Sequence, residues 1–209
     1  MEHDTPMDAS IDGNGEGARD QLIRVAIDLF AENGYAGTSI RDIAKRTGKS
    51  VSNVYHYFQN KEDLWLAIIG KTVNELPEKL RKVALSEGEP VERFVRLMKT
   101  HLAEGVNFQQ ETKIFFINEG SLSPQGRTSN RRIQKEILDI YVGQLRLLQS
   151  HGLIRTKNVK ILAFNILGVL NWHLRWFNNE GELSAEDVHN EMIDFILYGS
   201  CGLPRDGMK

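Results

Sequence analysis

The chain has little of what builds a secreted or catalytic protein. Its 209 residues include one cysteine, Cys201, so no internal disulfide can form and a small disulfide-stapled scaffold is excluded. No run approaches the ~18 apolar residues that a membrane span needs. The first 17 residues contain no Lys or Arg ahead of an apolar stretch, so no signal peptide is read there. A cytoplasmic location is expected, with no membrane partner. The six histidines, at 3, 56, 101, 151, 173 and 189, have no metal-ligand spacing. No GxSxG, HExxH or P-loop motif occurs. Gly13, Gly15 and Gly17 follow no strand and have the wrong spacing for a nucleotide loop. Neither an enzyme nor a cofactor is expected.

What is present is unevenly distributed. Hydrophobic residues make up 41% and charged residues 26%, with a net charge of −2, ordinary values for a soluble chain. Residues 1–17 hold five acids and no bases. Residues 18–61 hold seven bases against four acids, and residues 62–209 are balanced. A basic segment in an otherwise balanced chain suits a local nucleic-acid contact rather than general coating. The acidic start has almost no large apolar groups to offset ordering entropy, so 1–17 reads as a disordered tail.

Every later segment has a helical period. Leu22, Ala26, Leu29 and Phe30 mark a helix from Ala18 to Asn33, stopped by Gly34. Two short helices follow within 38–58. Thr38 or Ser39 can cap the first, and Ser39 with Asp42 forms a capping box. Ala44, Gly48 and Val54 fit a helix-turn-helix: a small residue for close approach, a glycine turn, and an aliphatic filling the gap. Ser50 or Ser52 starts the second helix, with Val54, Tyr55 and Phe58 inward. Asn60 caps a fourth helix carrying Leu64, Ala67, Ile68 and Val73, with Trp65 on an adjacent face and Pro77 kinking or ending it late. Further helices are expected over Val91–Phe108, over 109–120, from Ser123-Pro124 to Ser150, over Lys157–Phe177, and after a Ser184/Asp187 cap.

The predicted fold is all-α: a three-helix helix-turn-helix domain over 18–70, then an antiparallel helical bundle over 71–209, with about nine helices in total. The boundary falls inside the fourth helix. The last two helices are apolar on more than one face: either both lie in the middle of the bundle or, as is expected, a second copy of the chain covers them.

Gly34-Tyr35, Thr38 to Ala44, Gly48, Tyr55-His56-Tyr57-Phe58 and Lys61-Glu62-Asp63-Leu64 resemble the TetR family of bacterial transcriptional regulators across residues 19–69. The resemblance implies a homodimeric repressor of a palindromic double-stranded DNA operator, dimerising through its last two long helices and answering a small-molecule effector. Carried onto this sequence, it puts Ser50, Val51, Ser52 and Asn53 at base edges, with Arg41 reaching a guanine. Thr38, Lys49, Tyr55, His56 and Lys61 would hold phosphates, which position the protein without carrying sequence information. Lys49, Val51 and Ser52 depart from the common pattern, so the operator sequence is left open. Asn171 to Phe177, with Gly181 and Ser184, is similar to a subgroup that senses acyl-CoA thioesters.

His101, Glu119, Tyr141, Asn165 and Trp172 are polar or amphipathic groups on apolar helices and are the candidate ligand contacts. Arg127, Arg131, Arg132 and Lys135 either clamp a CoA phosphate or form a solvated face, and the solvated face is the expectation. The competing reading of the whole chain is a helical small-molecule binding or scaffold protein without sequence-specific DNA binding.

Overall fold

The computed structural model describes residues 13–72, 75–107, 122–178 and 181–200. Among these residues every regular element is a helix, as expected. The chain divides into two compact units, residues 1–68 and 69–209.

In the first unit α1 spans Gly13–Gly37, α2 Ile40–Thr47, α3 Val51–Tyr57 and α4 Lys61–Thr72, α4 running past the end of the unit. The helix α1 starts five residues earlier than expected, which removes 13–17 from the predicted tail; residues 1–12 lie outside the described residues. Once the amphipathic stretch from Ala18 is nucleated, each upstream residue joins for one more hydrogen bond. Regular helix breaks at Gly34, whose φ of 74° and ψ of 161° are open to glycine alone.

The hairpin forms as its local chemistry dictates. Ser39 caps α2: its hydroxyl accepts from the Asp42 N–H, and the Asp42 carboxylate accepts from the Ser39 N–H at 2.8 Å. The Ser39 hydroxyl also donates to that carboxylate at 2.6 Å, and this bond, with the one from the Ser39 N–H, holds the Asp42 carboxyl below its usual range. Gly48 sits at φ 66°; its N–H reaches the Lys45 carbonyl while the Lys49 N–H reaches that of Ala44, a Schellman ending. Ser50 caps α3 by accepting from the Asn53 N–H at 3.1 Å, and Asn60 caps α4 by accepting from Asp63 at 2.8 Å. Ile43, Ala44, Val54 and Phe58 are buried, as are Leu22, Ala26 and Phe30 of α1, and Trp65 is fully buried rather than on a side face.

In the second unit α5 covers Glu75–Ala84, α6 Pro90–Asn107, α7 Pro124–Ser150, α8 Val159–Trp176 and α9 Ala185–Asp194, which continues as a π-helical segment over Phe195–Ser200. Pro77 is in the first turn of α5 rather than late in α4; there its missing N–H costs nothing. The expected helix over 109–120 lies outside the described residues. The helix α7 starts at Ser123-Pro124, and Gly152, at φ 70°, follows its end. The helix α5 packs on α6 and α7, α8 on α6 and α7, and α9 on α6. Lys79 pairs with Glu104 at 2.7 Å and Arg93 with Gln144 at 3.2 Å. No described helix is long and apolar enough to cross a membrane.

Candidate nucleic-acid interface

The outward side of the hairpin follows from its buried side. Val54 is fully buried, so its neighbours on α3 are turned out: Ser52, Asn53, Tyr55 and His56 are exposed and Val51 is half-buried. Tyr55 is 51% exposed, which corrects its inward assignment. Neighbours on a helix point about 100° apart, and on α3 Val54 takes the packed side while Tyr55 turns out. Arg41 and Lys45 are exposed, and Lys49 is half-buried. Arg46 lies 3.0 Å from Glu32, both about half exposed, an ion pair worth under ~1 kcal/mol. His56 lies edge-on to Tyr57, ring centroids 5.0 Å apart. The exposed polar groups Ser52, Asn53, Tyr55 and His56 thus share one short helix.

Three of the expected contacts make hydrogen bonds within the protein. Thr38 is 2% exposed, and its hydroxyl donates to the carbonyls of Leu29 and Gly34, both at 3.0 Å. Its side chain is therefore a bolt between α1 and α2 and not a phosphate ligand. The Ser50 oxygen caps α3, leaving only its hydroxyl proton to offer a base. Lys61 donates to the Tyr35 carbonyl at 2.6 Å and the Thr38 carbonyl at 2.9 Å, with its ammonium 4.3 Å from the Tyr35 ring centre. Desolvation lowers the Lys61 pKa, and burial, with Glu62 nearby, raises that of Tyr35 to about 12. Local sequence could not signal the Lys61 bonds, because their partners lie 23 and 26 residues away.

The second unit holds a buried polar cluster. His101 Nδ1 and the Tyr141 hydroxyl are 2.9 Å apart and buried, with Phe94 edge-on to the tyrosine. The Asn171 side chain also interacts with His101. Desolvation, with His173 close by, lowers the His101 pKa to about 4, and burial pushes the Tyr141 phenol well up. His173 is buried and uses Nδ1 on the Leu170 carbonyl; its Nε2 and that of His189 have no partner among the described residues. The two rings stand 5.6 Å apart. The sequence reading missed both residues, although His173 lies a heptad after the inward Ile166 and shares its face.

Asn165 and Trp172 face the other way. The inner face of α8 is Leu162, Ala163, Ile166, Leu167, Leu170, His173 and Leu174. Asn165 and Trp172, seven residues apart, share the outer face, where Trp172 is 62% exposed beside Ile161, Phe164 and Trp176. This corrects their assignment to an interior ligand site. Glu119 lies outside the described residues. Among the described residues two grooves open on this unit. One of about 350 Å³ lies between α6 and α9, lined by Lys99, Val106, Asn107 and His189 among others. A more apolar one of about 300 Å³, between α8 and α9, is lined by Val169, Trp176, Val188, Met192 and Phe195 among others. Neither is lined by His101, Tyr141, Asn165 or Trp172. Of the basic run on α7, Arg127 donates to the Leu122 carbonyl, Arg132 pairs with Glu136 and Lys135 with Asp139, the arrangement of a solvated face.

A capped helix-turn-helix with an outward polar reading helix, followed by a separate helical unit with grooves and a polar core, defines a DNA-binding regulator with a sensing domain. Comparison with known proteins gives the family. The model for bacterial regulatory proteins of the tetR family matches residues 22–68, and that for the tetracyclin repressor-like C-terminal domain matches residues 87–200. The chain belongs to the TetR family, whose members are DNA-binding regulators and not enzymes. It is 26% identical over 204 residues to the HTH-type transcriptional repressor KstR2 of Rhodococcus jostii, covering 93% of this chain and 97% of that one. It is 22% identical over 191 residues to the fatty acid metabolism regulator protein of Bacillus subtilis, covering 86% and 93%. The crystal structure of AibR in complex with isovaleryl coenzyme A and operator DNA superposes with a TM-score of 0.76 at 25% identity, covering 86% of this chain and 97% of that one.

Proposed function

We propose that the protein is a cytoplasmic, homodimeric transcriptional repressor that binds a palindromic operator through α2 and α3 and is released by an acyl-CoA or a related apolar small molecule. The first 70 residues supply the reading head, and the rest holds the effector and the dimer interface. The observation that carries the reading is the outward set Arg41, Val51, Ser52, Asn53, Tyr55 and His56 on a hairpin whose inward side is fully packed. Base edges are met by Val51, Ser52 and Asn53, with Asn53 suited to adenine and Val51 to a thymine methyl. Arg41, Lys49, Tyr55 and His56 supply guanine and phosphate contacts.

The outer face of α8 supports the dimer. Ile161, Phe164, Trp172 and Trp176 are each more than half exposed, as is Phe195 beyond α9; large apolar patches of this kind mark interaction surfaces. A dimer lets two heads meet half-sites about 34 Å apart. The acyl-CoA assignment draws on the ligand named for AibR and on the fatty acid regulator of Bacillus subtilis. It does not draw on the α7 arginines.

An electrophoretic shift with the region upstream of the gene itself tests the reading. Wild type should shift this DNA and not a scrambled duplex, and an acyl-CoA should reverse the shift. Equal, salt-suppressible binding to all DNA would overturn it in favour of a helical binding protein without sequence specificity. A thermal-shift panel tests the effector separately: stabilisation by free acids or dyes but by no CoA ester would sink the acyl-CoA assignment.

A further inference from the structure

Two imidazole nitrogens of the second unit are buried and have no partner among the described residues: Nε2 of His173 on α8 and Nε2 of His189 on α9. The rings stand 5.6 Å apart at right angles, and neither nitrogen bonds the other. The Phe177 ring lies 6.1 Å from the first and 6.4 Å from the second, so the surroundings are apolar. One unbonded polar atom in such a place is rare in a folded protein, and two side by side need a reason.

The tautomer of His173 follows from its other nitrogen. Nδ1 faces the Leu170 carbonyl, which can only accept, so the hydrogen is on Nδ1. The residue is 1% exposed, and burial lowers its pKa and keeps the ring neutral near pH 7. Its Nε2 is then a bare lone pair waiting for a donor. His189 lines the groove of about 350 Å³ between α6 and α9, beside the apolar Ala103, Val106 and Ala185 and the charged Lys99 and Glu186. His173 reaches the same helix α6 at Gly105, where a Cβ would sit 3.8 Å from its Cε1.

We propose that the His173–His189 pair is the polar end of the effector site, reached from the α6–α9 groove, and that it selects an apolar small molecule carrying a hydroxyl. A hydroxyl donates to the bare Nε2 of His173 and keeps lone pairs for a hydrogen on His189 Nε2. A ketone or ester oxygen offers His173 only more lone pairs. The assignment rests on the effector-binding role proposed above for this unit and adds the chemical group that the site prefers. A hydroxylated acyl group meets both readings.

Histidine-detected nitrogen NMR on the intact protein tests it, with cyclohexanol and cyclohexanone as probes of matched shape, one a donor and one an acceptor only. Wild type should show His173 as the Nδ1–H tautomer. Cyclohexanol should shift its Nε2 signal saturably and bind at least ~10-fold more tightly than cyclohexanone, because the ketone leaves Nε2 unpaired. In His173→Phe, with binding read at His189, that preference should vanish. An Nε2–H tautomer, no shift up to the solubility of the alcohol, equal affinity for the two probes, or a preference that survives in His173→Phe overturns the proposal. No shift is also the result expected if a trapped water alone serves the two nitrogens. Neither probe contains CoA and no DNA is present, so failure of the acyl-CoA or operator reading is distinguishable from failure of this one. If His173→Phe does not fold, the wild-type tautomer and the ratio of the two affinities decide.

Discussion

His101 should make the second unit sensitive to acid in a calculable way. Its ring is buried against Tyr141 and Asn171, and its pKa falls from 6.5 to about 4. In the unfolded chain the same histidine protonates near 6.5. Between these values the unfolded state binds the extra proton, so stability is full above about pH 6.5 and is lost as the pH falls toward 4. For one group shifted from 6.5 to about 4, the loss by about pH 4.5 is roughly 2.5 kcal/mol. Two more histidines stand close by: His173, also lowered by burial, and against it His189, lowered to about 4. They add to the loss in the same direction. The assay is urea unfolding at several pH values for wild type and His101→Gln, whose neutral amide can still accept from Tyr141. Protonation of carboxylates such as Asp42 is common to both proteins and cancels. Wild type should lose about 2.5 kcal/mol more than the variant between about pH 7 and pH 4.5. Parallel pH profiles, or an NMR titration of His101 near 6.5 in the folded protein, would refute the burial argument.

Further outcomes follow from single positions. Gly34→Ala meets no atom within 4 Å of its new Cβ, so its cost is backbone strain alone, about 2 kcal/mol of stability in a thermal or urea melt. Trp172→Glu with Trp176→Glu, on side chains 62% and 53% exposed, should leave the helical circular dichroism intact and convert a dimer to monomer in sedimentation. Asn53→Ala should cost about 1–3 kcal/mol at the operator position it reads while leaving non-specific affinity unchanged, as measured by competition with base-substituted duplexes.

The reading head was legible because its signals are local. A capping serine and its partner aspartate are three residues apart, the turn glycine follows Ala44 by four, and Val54 is fixed by the same spacing. Each acts through the backbone of its own hairpin. The bonds that Thr38 and Lys61 make to carbonyls of α1 and of the α1–α2 connection are tertiary, and no motif spacing reveals them. On α8 the signal was present and was read in aggregate. The helix looked apolar all round, yet Asn165 and Trp172 are a heptad apart and share a face, as do Ile166 and His173. Sorting those positions by period separates the packed face from the exposed one. His101 and Tyr141 were visible as polar groups on apolar helices, but their bond to each other, across 40 residues, is tertiary. Hydrophobic pattern alone does not distinguish a satisfied polar core from a ligand contact.

The central claim is that α2 and α3 read a specific DNA sequence. The most direct test is a fluorescence anisotropy titration of the protein with the duplex upstream of its own gene and with a scrambled duplex, at one fixed near-physiological salt. The account predicts a preference of at least ~10³ for the first duplex, reduced by Asn53→Ala and by Arg41→Ala. Equal affinity for the two duplexes, or a preference untouched by either substitution, would contradict it.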